Sequence, residues 1–261
     1  MHTRYAAAST KSKPKSAFTL MELLVVMAII GILASLLLTS LAAGERNTRR
    51  KLCQTEEAQL LAAINQYYST YSRLPASLDA VRAGTNTDFT FGTSLTGGGG
   101  ELAKMPPIPG APAGIITPNA SYQNNNSELI AILRDDMFYP ECATNSGQVL
   151  GHIYNTHQAQ LYTGTLAAGP AVPGVGPGSP GVGADDILRD PWGMPYIVTL
   201  DLNSDGRVLD PSLNAMYQAQ SPGANLYIPG PAVVWSFGPT RQINLTLPSH
   251  NPVNKYMVTS F

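Results

Sequence analysis

Between Leu23 and Gly44 the chain carries 22 consecutive uncharged residues, most of them Leu, Ile, Val, Ala and Met. At ~1.5 Å per residue, a helix of that length crosses the ~30 Å hydrocarbon core of a bilayer. This run constrains the fold most, because a helix apolar all round needs lipid or protein on every side. The residues before it are basic: positions 1–17 hold Arg4, Lys11, Lys13 and Lys15 and no acid. Of 16 basic and 17 acidic residues in the whole chain, 12 and 17 lie beyond position 17, a formal −5. Glu22 is the one charge between Phe18 and Gly44. An ionisable side chain in such a run marks function with a named partner, or else sits at the headgroup level facing water; both readings stay open.

Two fates of the run compete. As an ordinary secretory signal it would be cut after Ser40-Leu41-Ala42, leaving a soluble adhesin or binding protein that begins near Ala43. As a retained membrane helix it would stay attached. Retention is favoured because the run exceeds the ~7–15 apolar residues of a signal-peptide core. No proline interrupts the chain between Pro14 and Pro75 either. Charge flanks do not decide orientation, since Arg46, Arg49, Arg50 and Lys51 balance the four leader charges.

Beyond Gly44 the helical pattern becomes amphipathic. Cys53, Leu60, Ile64, Tyr67, Tyr71 and Leu74 recur at helical spacing on one stripe, widened by Leu61 and Tyr68. Glu56 and Gln59 fall largely outside it, and Arg73-Leu74-Pro75 ends the helix. A helix from Phe18 to about Ser72 would be ~80 Å long, too long to be buried in a domain of this size.

Lys15-Ser16-Ala17-Phe18-Thr19-Leu20-Met21-Glu22-Leu23-Leu24-Val25-Val26 resembles the class III signal of type IV pilins and type II secretion pseudopilins. The resemblance implies a prepilin peptidase that cuts between Ala17 and Phe18 and methylates the new Phe18 amine. The family usually has Gly where this chain has Ala17. Glu22 becomes the fifth mature residue, the glutamate tied to assembly in that family. Arg189-Asp190-Pro191-Trp192-Gly193-Met194-Pro195-Tyr196 and Val234-Trp235-Ser236-Phe237-Gly238-Pro239 resemble two later pseudopilin segments, although Thr240-Arg241 replaces an acidic pair.

The implied fold class is α+β and pilin-like: a long N-terminal transmembrane-plus-amphipathic helix packed on a small antiparallel β-sheet, with long loop insertions. The segments would be a cytoplasmic leader (1–17), a transmembrane and assembly half-helix (18–44), an amphipathic half (45–74) and a soluble domain (75–261). Gly/Pro-rich loops are expected at 92–119 and 163–183. Implied partners are the prepilin peptidase, identical or related subunits, an inner-membrane assembly platform and membrane lipid. The implied location is a bacterial inner membrane with the soluble domain outside the cytoplasm, then a periplasmic or surface filament. A pI near 6.4 argues against nucleic acid as a partner.

Further along, a short helix is predicted from Ser127 to Leu133, capped by Ser127. Strands are predicted at Pro195–Leu200, Ala232–Phe237 and Tyr256–Val258. Asp201-Leu202-Asn203-Ser204-Asp205-Gly206-Arg207 matches the first half of an oxygen-rich calcium loop, but the twelfth position is Ser212. The candidate calcium set is Asp201, Asn203, Asp205, Arg207 through its carbonyl, and Asp210. Major pseudopilins bind calcium in this region, and the resemblance implies the same here. The plain alternative is a hairpin turn between Val198 and Val208.

Catalytic signals are sparse. His152 and His157 are five apart, a spacing that suits loop or surface histidines. Gly176–Gly181 formally matches a dinucleotide fingerprint, but no strand leads into it and two prolines interrupt it. No nucleophile elbow, zinc-protease pair or Walker loop occurs, so an enzyme, including a secreted hydrolase, is not expected. Cys53 reads as a small buried hydrophobe, with a bridge to Cys142 left open.

Overall fold

The computed structural model describes residues 19–83, 88–91, 115–116, 126–136, 154–167, 178–184, 186–241, 243–244 and 257–260. The chain divides into two compact units, residues 1–47 and 48–261. Helix α1 (Leu20–Tyr71) contributes to both. Its Leu, Ala and Met content favours helix, and it contains no proline. It stops where Ser72 takes a left-handed φ of 51°, and Pro75 then prevents renewed winding.

In the first unit the described side chains from Leu20 to Leu33 are all exposed, Leu20 at 86%. In the second unit the predicted stripe is observed. Cys53, Leu60, Ile64 and Tyr67 are fully buried, with Tyr71 and Leu61 partly so. Tyr68 is 49% exposed and so does not widen the stripe as expected. Glu57 joins it instead, at 1% exposure.

The stripe belongs to a core formed with one face of a four-stranded antiparallel sheet. The strands are β1 (Phe89–Phe91), β5 (Ile197–Leu200), β8 (Ala232–Ser236) and β10 (Val258–Thr259), in the order β1-β5-β8-β10. Because side chains alternate along a strand, β5 and β8 serve two cores. Val198, Leu200 and Val234 face the α1 stripe with Phe89 and Phe91. Ile197, Val233 and Trp235 face a second core built with Leu213, Met216, Val208 and Ile228. Burying each such large side chain stabilises the fold by about 1.5–3 kcal/mol. The architecture is therefore α+β, with an antiparallel sheet as expected.

The smaller elements are α2 (Leu78–Ala83), β2 (Ile115–Ile116), α3 (Ser127–Arg134), β3 (Gly181–Val182), β4 (Leu188–Arg189), β6 (Arg207–Val208), α4 (Pro211–Gln218), β7 (Ile228–Pro229) and β9 (Ile243–Asn244). β2 lies in the stretch expected to be loop at 92–119, and β3 in that at 163–183; they pair with β9 and β4. Most of both stretches lies outside the described residues. The predicted helix at Ser127 is present, but Asn126, not Ser127, precedes its first turn. Asn126 is spent on the sheet side, exchanging hydrogen bonds with Leu188 and donating to the Tyr196 carbonyl.

The turn after β5 also differs from the simple hairpin. β5 pairs with β1 and β8, whereas β6 pairs with β7, so Val198 and Val208 are not hairpin partners. The reason is downstream: Asp210 caps α4, and Pro211 opens that helix. Of the Gly176–Gly181 stretch, residues 178–181 are described, and they pack against the turn at Gly193. The Gly178 amide donates to the Gly193 carbonyl at 3.0 Å. A Cβ on Gly193, whose φ is +86°, would lie 2.2 Å from the Gly178 carbonyl oxygen.

Candidate functional site

The segment expected to carry processing and assembly begins at the described N-terminus of α1. Thr19-Leu20-Met21-Glu22 forms a capping box, a signal of Thr followed three residues later by Glu. Thr19 Oγ1 accepts from the Glu22 amide at 3.2 Å. In return, Glu22 Oε2 accepts from the Thr19 amide and the Thr19 hydroxyl, each at 2.9 Å. Two amides at the helix start, which have no partner inside the helix, are thereby satisfied. The carboxylate also sits at the positive end of the helix dipole. Sequence reading placed Glu22 in an assembly role and missed this local one, although the Thr-x-x-Glu spacing was there to find. Ala17 and Phe18 lie outside the described residues.

Downstream of Glu22 the helix presents Leu23, Leu24, Val25, Val26, Met27, Ile29 and Ile30 outward, each at least 45% exposed. Among the described residues no helix is long and apolar enough to cross a membrane. The side chains of residues 36–43, which complete the apolar run in the sequence, lie outside the description.

The calcium set is only partly brought together. Asp201, Asn203 and Asp205 share one turn that their side chains close. Asp201 accepts from the amides of Asp205 and Gly206 at 3.1 and 2.9 Å, and Asn203 from that of Asp205 at 3.0 Å. Arg207 turns its guanidinium onto Asp205 at 3.2 Å. Asp210 is not part of this turn, which corrects the expected set. It is fully buried and accepts from Ser212 and Leu213 as helix cap, from Thr199, and from the Trp235 indole at 3.1 Å. With those four hydrogen bonds its oxygens are committed to the core. Among the described residues no three His, Cys, Asp or Glu side chains are gathered to hold a metal.

Sequence reading missed Asp88, which faces the same turn. It is 6% exposed and its Oδ1 has no hydrogen-bond partner among the described residues, while Oδ2 accepts from the Leu209 amide. Burial, followed by the charges of Asp201, Asp205 and Asp210, pushes its carboxyl up to about 6. No local spacing in the sequence announces it, because it lies more than a hundred residues from the turn.

A second acidic cluster lies under the α1 stripe. The Tyr196 hydroxyl donates to Glu56 Oε2 at 2.6 Å and lies 3.4 Å from Cys53 Sγ. The Cys53 thiol points to Glu57 Oε1 at 3.7 Å, and Glu57 Oε2 has no partner among the described residues. Asp190 accepts from the amides of Trp192 and Met194 and from the Ser236 hydroxyl. Burial pushes Glu57 up to about 8 and Asp190 to about 6. Burial also lifts the Cys53 thiol well above its ordinary range, with the Glu57 charge adding to it. A free, buried thiol held protonated is packing material rather than a nucleophile. His157 packs on the Tyr71 ring at 5.0 Å, as a structural histidine does, and His152 and Cys142 lie outside the described residues.

Comparison with known proteins adds one finding. The prokaryotic N-terminal methylation motif matches residues 12–38. It is characteristic of the cleavage segments of type IV pilins and pseudopilins, which are structural subunits and not enzymes. No curated protein and no solved structure matches the chain.

The buried Glu57 yields a pH prediction. Its ordinary value of 4.5 is raised to about 8 in the folded chain, so the native state holds a proton that the unfolded state releases. The stability tied to that proton is fully present below about 4.5 and is lost as pH rises through about 8. Thermal melts should therefore fall across this window. Glu57→Gln, which has no proton to lose, should flatten the upper part of the decline. An unchanged slope in Glu57→Gln would place the titrating group elsewhere.

Proposed function

We propose that this chain is a structural subunit of a type II secretion pseudopilus or a related type IV filament. The observation that carries the reading is the methylation motif at 12–38, joined without interruption to the apolar run that ends at Gly44. Processing between Ala17 and Phe18 would leave that run attached as a single membrane span, with the unit beyond it outside the cytoplasm. Partners would be the prepilin peptidase, the assembly platform of the inner membrane, and identical or related subunits. The rival, a soluble adhesin cut near Ala42, would discard the helix that the motif exists to retain.

Assembly turns on Glu22. After cleavage the Phe18 amine, with an ordinary pKa of ~8, is protonated at the same end of α1. When helices pack into a fibre both charges leave water, and an unpaired buried charge costs several kcal/mol. A stagger that sets the Glu22 of one subunit against the Phe18 amine of the next satisfies both and selects one register. The capping box supplies the competing local role, and substitutions separate the two. Gln at the third helical position still closes a capping box, whereas Leu does not.

Both Glu22→Gln and Glu22→Leu should enter the membrane, since each makes the span less polar. Both should lose more than about tenfold of the cross-linking between staggered subunits, read through cysteines placed along 20–40, because a lost charge pair of over ~1.4 kcal/mol has that effect. If Glu22→Gln assembles like wild type while Glu22→Leu does not, the glutamate acts only as a cap.

A calcium ion at the acidic turn is a separate proposal. The orphaned Asp88 Oδ1 supports it: since the described carboxylates are not gathered for a metal, Asp88 would move in beside Asp201, Asn203, Asp205 and the Arg207 carbonyl as the ion binds. A cation there would offset the mutual repulsion of the carboxylates. Melts of the full chain should rise with calcium by the equivalent of about 2.7 kcal/mol at a hundredfold excess over Kd. Asp88→Asn should abolish the rise, and equal melts in calcium and chelator would make the segment a plain turn.

A further inference from the structure

One groove of the second unit is built from two cations and an indole. Arg49 and Leu52 of α1, Pro180, Pro191, Trp192 and Arg241 line a space of about 420 Å³. Among the described residues that line it there is no acidic side chain. Arg49 and Arg241 are exposed, Leu52 is 48% exposed, and Trp192 is half-buried.

The indole is fixed by its turn. The Asp190 side chain holds the amides of Trp192 and Met194 at 2.9 and 2.8 Å, and the Gly193 amide donates to the Asp190 carbonyl at 2.8 Å. Behind it, Gly193 and Gly178 touch backbone to backbone. Arg241 is likewise set at a turn, with a left-handed φ of 55°. The groove therefore sets two exposed arginines beside an indole held by its turn.

We propose that the groove between Arg49, Trp192 and Arg241 holds the headgroup of an anionic phospholipid. This rests on the membrane anchoring proposed above. Three observations point to that occupant. Guanidinium forks match phosphate oxygens in geometry and sign. Indole and leucine beside them suit the boundary between headgroup and acyl chain, where tryptophan is enriched. Arg49 also belongs to a basic stretch of the sequence that follows the apolar run: residues 44–51 hold four basic residues against the single acid Glu45, a net +3. A nucleic acid could also bind cations, but it would not call for Leu52 and the prolines.

A bound headgroup would tether the second unit to the bilayer surface while the subunit waits in the membrane. Extraction into a fibre would then require release of the lipid. Each basic side chain near an anionic surface contributes about 1 kcal/mol, a factor of about five in lipid preference.

The test uses the full chain in nanodiscs and reads Trp192. The only other tryptophan, Trp235, is fully buried, and Trp192→Phe supplies the background. Headgroup spin-labelled phosphatidylglycerol should quench Trp192 about fivefold or more over equally labelled phosphatidylcholine. Arg49→Gln with Arg241→Gln should remove the preference while leaving the protein in the discs. Equal quenching by both lipids, or a double variant with undiminished preference, overturns the proposal. So does equal shielding of Trp192 from acrylamide by inorganic phosphate, or by duplex DNA, in pure phosphatidylcholine discs. Co-elution with the discs is scored first: a chain that inserts but shows no preference sinks the headgroup site alone. One that never inserts sinks the membrane reading with it.

Discussion

Cys53, Leu60, Ile64 and Tyr67 leave water in one core with Val198, Leu200 and Val234 of the sheet and Leu129 to Leu133 of α3, and most of the second unit follows from that packing. It places the stripe of α1 beyond residue 48 on one face of the sheet, and the strands' alternation then assigns Ile197, Val233 and Trp235 to the other face. A second core is needed there, and α4 with β6 and β7 supplies it. Asp210 joins the layers, capping α4 while receiving hydrogen bonds from Thr199 of β5 and Trp235 of β8. The same contact forces Glu57 under the stripe, so the fold carries a buried carboxyl that is most stable when protonated.

The first unit obeys a different constraint. Its described side chains make no core of their own, and Leu20 to Leu33 face outward. What the unit does supply is an ordered start, the Thr19–Glu22 capping box, worth about 1 kcal/mol to a helix end. A helix apolar all round with a secured N-terminus is suited to exchange one apolar surrounding for another. In the filament proposed above, lipid before assembly and neighbouring helices after it would meet that requirement with the same side chains, and the charge of Glu22 would be left to select a register.

Much of this was legible in the sequence wherever the signal is local and periodic. The stripe from Cys53 to Leu74, the strands at Ile197 and Ala232, and the end of α1 before Pro75 follow from spacing and from proline. The capping box was equally local, but Glu22 drew attention as a lone charge rather than as the partner of Thr19. Asp210-Pro211 carried a cap-and-first-turn signature that the nearby Asp201-x-Asn203-x-Asp205 pattern obscured. Glu57 and Asp88 could not be read: one looks like the exposed neighbour of Glu56, and the other meets its acidic turn only through the pairing of β1 with β5. Long-range pairing leaves no mark in a single sequence.

The central claim is that the apolar helix is kept, not removed. Intact mass and N-terminal sequencing of the protein from native membranes test it most directly. The account predicts a chain that begins at Phe18 and carries one methyl group on its amine. A native N-terminus at Ala43 would contradict it.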